Sequence, residues 1–117
     1  MKLVIDRTKW FRGKSRGSRL YRKQDGKMCC LGFLSLACGY TVTEIRQHRT
    51  PFSLWDTTGE WRFPICREEQ SSSLDDLRYI YGNLMITNDD EGISEPEREK
   101  QVTAEMKKLD VNVDFIN

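Results

Sequence analysis

The sequence predicts one α+β domain, a small mixed sheet that holds both chain termini with about three helices packed mainly on one face. Three observations carry this. Residues 2–6 and 111–116 are both strand-like with β-branched apolar faces, and one sheet is the simplest way to bury them together. Between them, two segments repeat apolar residues at helical spacing and a third is a continuous apolar run. With 117 residues the chain has room for one core and none for a second.

Taken in order, Leu3-Val4-Ile5 makes the first strand. Thr8 is placed to cap a single turn through Trp10 and Phe11. Gly13 and Gly17 make 13–18 a loop, and 18–23 alternates as a second strand before an Asp25-Gly26 turn. Residues 28–38 are apolar on nearly every side and poor in β-branched residues, which predicts a buried helix closed by Gly39. A strand is the competing assignment, because a short apolar run does not separate the two by period. Residues 43–48 read as a short helical turn that ends before Pro51. Residues 52–64 read as irregular, anchored by Trp55 and Trp61 around a Thr58-Gly59 turn. Three serines at 71–73 form a brief linker. Ser73 followed by Asp76 starts a helix, which Leu74, Leu77, Tyr81 and Leu84 carry to about Ile86. Residues 88–92 make an acidic loop. Ser94 caps the last helix, with Pro96 in its first turn, Glu97 at the capping-box position and Val102, Met106 and Leu109 as its apolar stripe.

Charge is segregated along the chain. Of nineteen Lys and Arg residues, ten lie in residues 1–27 beside two acids, whereas residues 68–117 carry thirteen acids and five bases. The basic part interleaves Arg12, Arg16 and Arg19 with Gly13, Gly17, serines and aromatics. That mixture suits phosphate: glycine permits close backbone approach, Ser and backbone N–H groups donate, and Arg binds oxygens bidentately. The candidate ligand-binding residues are Arg7, Trp10, Arg12, Arg16, Arg19 and Tyr21, with Trp10 or Tyr21 stacking on an attached base. The competing reading is a basic loop facing the protein's own acidic half. Gly13-Lys14-Ser15 mimics the end of a Walker loop but lacks the earlier glycine which that loop requires. General nucleic-acid binding is disfavoured, because the acidic half repels phosphate unless it lies on the opposite face.

The four cysteines are Cys29, Cys30, Cys38 and Cys66, and three of them sit in or beside the apolar run, where free Cys behaves as a small hydrophobe. Adjacent Cys29 and Cys30 with a single histidine, His48, make a poor zinc set, and no CxxC pair occurs. A cysteine-dependent enzyme would need His48 as its base, and nothing in the spacing demands that. The acidic loop lacks the alternation of a calcium-binding loop. No metal, cofactor or catalytic residue is therefore expected. No apolar run approaches the ~20 residues of a membrane span, and no secretory pattern opens the chain, so a cytoplasmic location is expected.

Four pieces carry a resemblance: Ile5-Asp6-Arg7-Thr8-Lys9-Trp10-Phe11-Arg12-Gly13, Asp25-Gly26-Lys27-Met28-Cys29-Cys30-Leu31-Gly32-Phe33, Ile86-Thr87-Asn88-Asp89-Asp90 and Ser94-Glu95-Pro96-Glu97-Arg98-Glu99. Together they resemble a family of short phage, prophage and bacterial proteins that share a Met-Cys-Cys-Leu-Gly-Phe segment and an Asn-Asp-Asp loop. The resemblance spans most of the chain and is weakest over 41–73. It implies a phage genomic setting, with the host cytoplasm as the location, and brings no activity and no catalytic residues.

Small phage proteins without catalytic motifs act mostly by binding. The expected role is a non-enzymatic protein that counters a host defence system by sequestering an anionic, nucleotide-like signal in the basic loop. The alternative is an inhibitor of anti-CRISPR type that blocks a host defence protein through a charged face, with Asp89, Asp90, Glu95 and Glu99 as its contacts. The oligomeric state is open, a homodimer included.

Overall fold

Leu3-Val4-Ile5 forms the strand its composition predicts. Strand β1, Lys2–Asp6, pairs in parallel with β2, Asn112–Ile116, setting Leu3 opposite Val113 and Ile5 opposite Phe115. Parallel partners need a crossover, and here the rest of the chain supplies it. The computed structural model describes residues 1–65 and 74–117, Leu74 by its backbone alone. Along them run α1 Cys30–Ala37, α2 Val42–Ile45, α3 Pro51–Thr58, α4 Leu74–Asp89 and α5 Glu95–Lys107. The α+β class therefore holds, but the expected mixed sheet is a single parallel pair among the described residues. Helix α1 packs on β1 and α5 on β2, while α4 lies against both α1 and α5.

Residues 18–23 do not form a strand. Leu20 is fully buried there, and its backbone N–H donates to His48 O at 3.1 Å, so the segment is a loop pinned to another loop. At the first turn the cap is reversed from the expectation: Asp6 Oδ1 accepts from Thr8 N at 3.0 Å and from Thr8 Oγ1 at 2.7 Å. These bonds, the hydroxyl's first, hold the Asp6 carboxyl below its usual value.

Helix α1 starts two residues later than the apolar run. Met28 stays extended, bridging Trp10, with Phe11 N donating to Met28 O and Met28 N donating to Lys9 O. Cys30, Leu31 and Leu34 are fully buried. Gly32 is in mid-helix for a steric reason: a Cβ there would overlap the Leu20 carbonyl of the loop crossing it.

Residues 52–64 are not wholly irregular. Helix α3 occupies Pro51–Thr58, with Thr50 Oγ1 accepting from Ser53 N at 3.0 Å, Pro51 in the first turn and Gly59 left-handed at φ 75° as its stop. The two tryptophans do anchor this region. Trp61 lies 5.3 Å from Phe52, 5.5 Å from Trp55 and 5.5 Å from Tyr81, centroid to centroid, which ties α3 to α4. Helix α2 carries a full capping box between Thr41 and Glu44.

Helix α4 runs on past Ile86, so Asn88 and Asp89 form its last turn and not the acidic loop. The Ser73 cap, the serine linker and Cys66 lie outside the described residues. Ser94 caps α5 by accepting from Glu97 N, and Val102, Met106 and Leu109 are buried as their stripe requires. Among the described residues no helix is long and apolar enough to cross a membrane.

Candidate functional site

The basic segment folds onto the acidic helix. Arg7 binds both carboxylate oxygens of Glu99 at 2.8 Å, and this bond raises the guanidinium's pKa. Arg12 Nε donates to Glu95 at 2.7 Å, Arg12 Nη1 donates to the carbonyls of Arg7 and Trp10, and the guanidinium lies 4.6 Å from the Trp10 ring centroid. Burial alone would raise the Glu95 carboxyl, but the hydrogen bond and charge of Arg12, joined by Arg98, outweigh it and hold the carboxyl below its usual value. Arg7 and Arg12 are thus engaged within the molecule, as are Glu95 and Glu99. This matches the competing reading of a basic loop set against the protein's own acids.

Trp10 offers no face to a base. It is 2% exposed, its ring stacks 5.3 Å from Phe115, and its indole N–H donates to Asn88 Oδ1 at 2.7 Å. Tyr21 is half-buried, with its ring packed beside Gly26. Asp90 Oδ1 accepts from Gly92 N at 2.8 Å in a local turn. Among the described residues, no three His, Cys, Asp or Glu side chains converge on a metal position.

Of the predicted ligand set, Arg16 alone lines the cleft between the basic loop and the end of α4. Backbone bonds assemble it. Gly13 N donates to Asn88 O, Cys29 N donates to Arg19 O and Leu20 N donates to His48 O, which clamp the basic loop to the end of α4, the start of α1 and the loop before α3. These clamps bring Arg16, from the basic loop, and Arg49, which the sequence analysis did not single out, to the walls of one cavity of about 390 Å³. Neither arginine has an ion pair or hydrogen bond among the described residues. Ser15 and Ser18 stand beside Arg16, Leu31 and Met85 supply apolar wall, and Asp89 supplies a carboxylate. Arg19 contributes its carbonyl to the clamp and does not line the cavity.

Asn88 and the two adjacent cysteines lie at the same cavity. Asn88 is 1% exposed, and all its side-chain capacity is used: Oδ1 accepts from Trp10 Nε1 and Cys30 N, and Nδ2 donates to Phe11 O and Asp89 Oδ1. Burial pushes the Cys29 thiol up to about 11 despite the Gly32 and Leu31 N–H groups at its sulfur, and burial pushes Cys30 up as well. Both are therefore protonated at neutral pH. His48 does not line the cavity; its Nδ1 is 2.7 Å from Ser53 Oγ. The cysteines are walls in this arrangement, and what can act on a ligand is the pair of guanidiniums, the serine hydroxyls and the Asp89 carboxylate. No family model matches this chain, and no curated protein or solved structure is significantly similar to it.

Proposed function

We propose that this is a small, non-enzymatic binding protein of phage type that counters a host defence system by holding an anionic, nucleotide-like signal. The ligand sits in the cleft between the basic loop and the end of α4. The observation that carries this reading is that Arg16 and Arg49, both exposed and both without partners among the described residues, line one concave site. A guanidinium left unpaired at a cavity wall is available for an oxyanion, whereas Arg7 and Arg12 already have theirs. The cysteine thiols, held protonated by burial, disfavour a cysteine-dependent enzyme. The phage setting comes from the family resemblance, and the defence role from the expectation that a small phage protein without catalytic motifs acts by binding. The test is a sponge assay. The protein, isolated from infected host cells and heat-denatured, releases an intact phosphorylated small molecule detected by mass spectrometry, and Arg16→Ala with Arg49→Ala abolishes both that release and protection of the phage. Protection by the double variant equal to the parent's overturns the reading.

One observation favours a direct inhibitor of a host protein as the second reading. Tyr79 and Ile86, seven residues apart on α4, are 67% and 69% exposed on the same helical face. Large exposed apolar side chains in register suit a protein partner. Co-elution of a host protein with the parent and its loss with Tyr79→Ser and Ile86→Ser would select that reading.

A further inference from the structure

A site built only to hold phosphate would exclude carboxylates, yet Asp89 lines the same cleft as Arg16 and Arg49. One of its oxygens, Oδ1, accepts from Asn88 Nδ2 at 2.9 Å, and Asn88 is locked in turn by Trp10 and the start of α1. The carboxylate is therefore positioned by a buried network, and no bond to its second oxygen is seen among the described residues. An ionised carboxylate accepts hydrogen bonds and donates none. Beside two guanidiniums it repels any anion that reaches it and rewards a ligand that puts a donor there.

We infer that the cleft selects a nucleoside monophosphate, with its phosphate on Arg16 and Arg49 and an amino or hydroxyl donor on Asp89. This rests on the reading of the cleft as an anion site. Size and charge both point to a monophosphate. At about 390 Å³ the cavity is near the lower end of the range for small-molecule sites, room for one nucleotide and not for a chain of them. Two guanidiniums and one carboxylate leave a net charge of about +1, which suits a phosphate monoester and poorly suits a polyphosphate lying against Asp89. Met85, half-buried at the cavity, provides the apolar surface a base would cover. A ligand that loses its donor leaves a charged acceptor desolvated and unpaired, which is the stronger form of discrimination.

The experiment is calorimetric titration of the full chain with AMP, IMP, ribose 5-phosphate and inorganic pyrophosphate. AMP is expected to bind at least about tenfold more tightly than pyrophosphate, the worth of one hydrogen bond to a charged group. Comparing AMP with IMP and with ribose 5-phosphate separates the exocyclic amine from the sugar hydroxyls as the donor. Asp89→Asn keeps an oxygen for Asn88 and removes the charge, so it is expected to weaken AMP while strengthening pyrophosphate. The AMP-to-pyrophosphate ratio on the parent protein needs no variant and stands if Asp89→Asn fails to fold. Pyrophosphate binding as tight as AMP, or Asp89→Asn strengthening both alike, overturns the donor inference and leaves the anion site intact. No binding of any of the four overturns both.

Discussion

The Trp10 indole N–H donates to Asn88 Oδ1 at 2.7 Å across 78 residues of chain, and neither side chain is more than 2% exposed. This bond joins the basic N-terminal segment to the end of α4. Asn88 also holds Cys30 N and Phe11 O, so one amide satisfies three buried groups, two from the Trp10-Phe11 segment and one from the start of α1. Asn88→Ala is expected to lower unfolding stability by at least about 3 kcal/mol, since each orphaned group costs about 1–3 kcal/mol. Trp10→Phe keeps most of the ring and leaves Asn88 Oδ1 bonded to Cys30 N, so its cost is expected to be the smaller of the two. Urea unfolding of both variants checks this; an Asn88→Ala loss below that of Trp10→Phe would show that the amide is not the hub.

Gly32→Ala is expected to be more damaging than a helix propensity argument allows. In an open helix that change is favourable by about 1 kcal/mol. Here the new methyl overlaps the Leu20 backbone carbonyl, which cannot swing aside as a side chain would. The expected result is a loss of about 1–3 kcal/mol or more, as for overpacked cores, read as a lowered Tm. A raised Tm would mean the loop over α1 yields freely.

Acid sensitivity is expected to run partly through Glu95. Its carboxyl is held below its ordinary value of 4.5 by Arg12 and Arg98. A depressed acid contributes stability that is full above its unfolded pKa and is lost as pH falls through its folded pKa. Glu95→Gln is therefore expected to destabilise at pH 7 and to approach the parent as the pH falls below 4.5 and through the lowered folded value, seen in Tm against pH. A constant difference over that range would assign the effect to packing.

The exposed pair on α4 separates stability from recognition. Tyr79→Ser and Ile86→Ser are expected to change stability by no more than about 0.5 kcal/mol each, the usual range for surface sites. A large loss of Tm would mean that the face is covered within the folded chain. A neutral Tm with lost co-elution of a host protein would identify the face as a contact surface.

Local chemistry made much of the secondary structure legible. A short β-branched run at one end and an apolar–polar alternation at the other produced β1 and β2, and the Ser94-x-x-Glu97 start produced α5, because capping and strand propensity act within a few residues. Thr50-Pro51 and Gly59 carried an equally local signal for α3, hidden by the neighbouring aromatics, whose contacts are tertiary. The candidate site divided along the same line. The interleaved arginines, glycines and serines marked the basic loop, but residue type does not say which arginine finds a carboxylate. That was decided by the docking of the loop on α5, where Glu95 and Glu99 took Arg12 and Arg7 and left Arg16 without a partner among the described residues. Arg49 and Asp89 joined the cleft only through backbone clamps between segments far apart in sequence, Leu20 to His48 and Gly13 to Asn88. Composition determined that arginines, serines and glycines suited to phosphate were present. Long-range hydrogen bonds, which no local pattern encodes, decided which of them line the cleft.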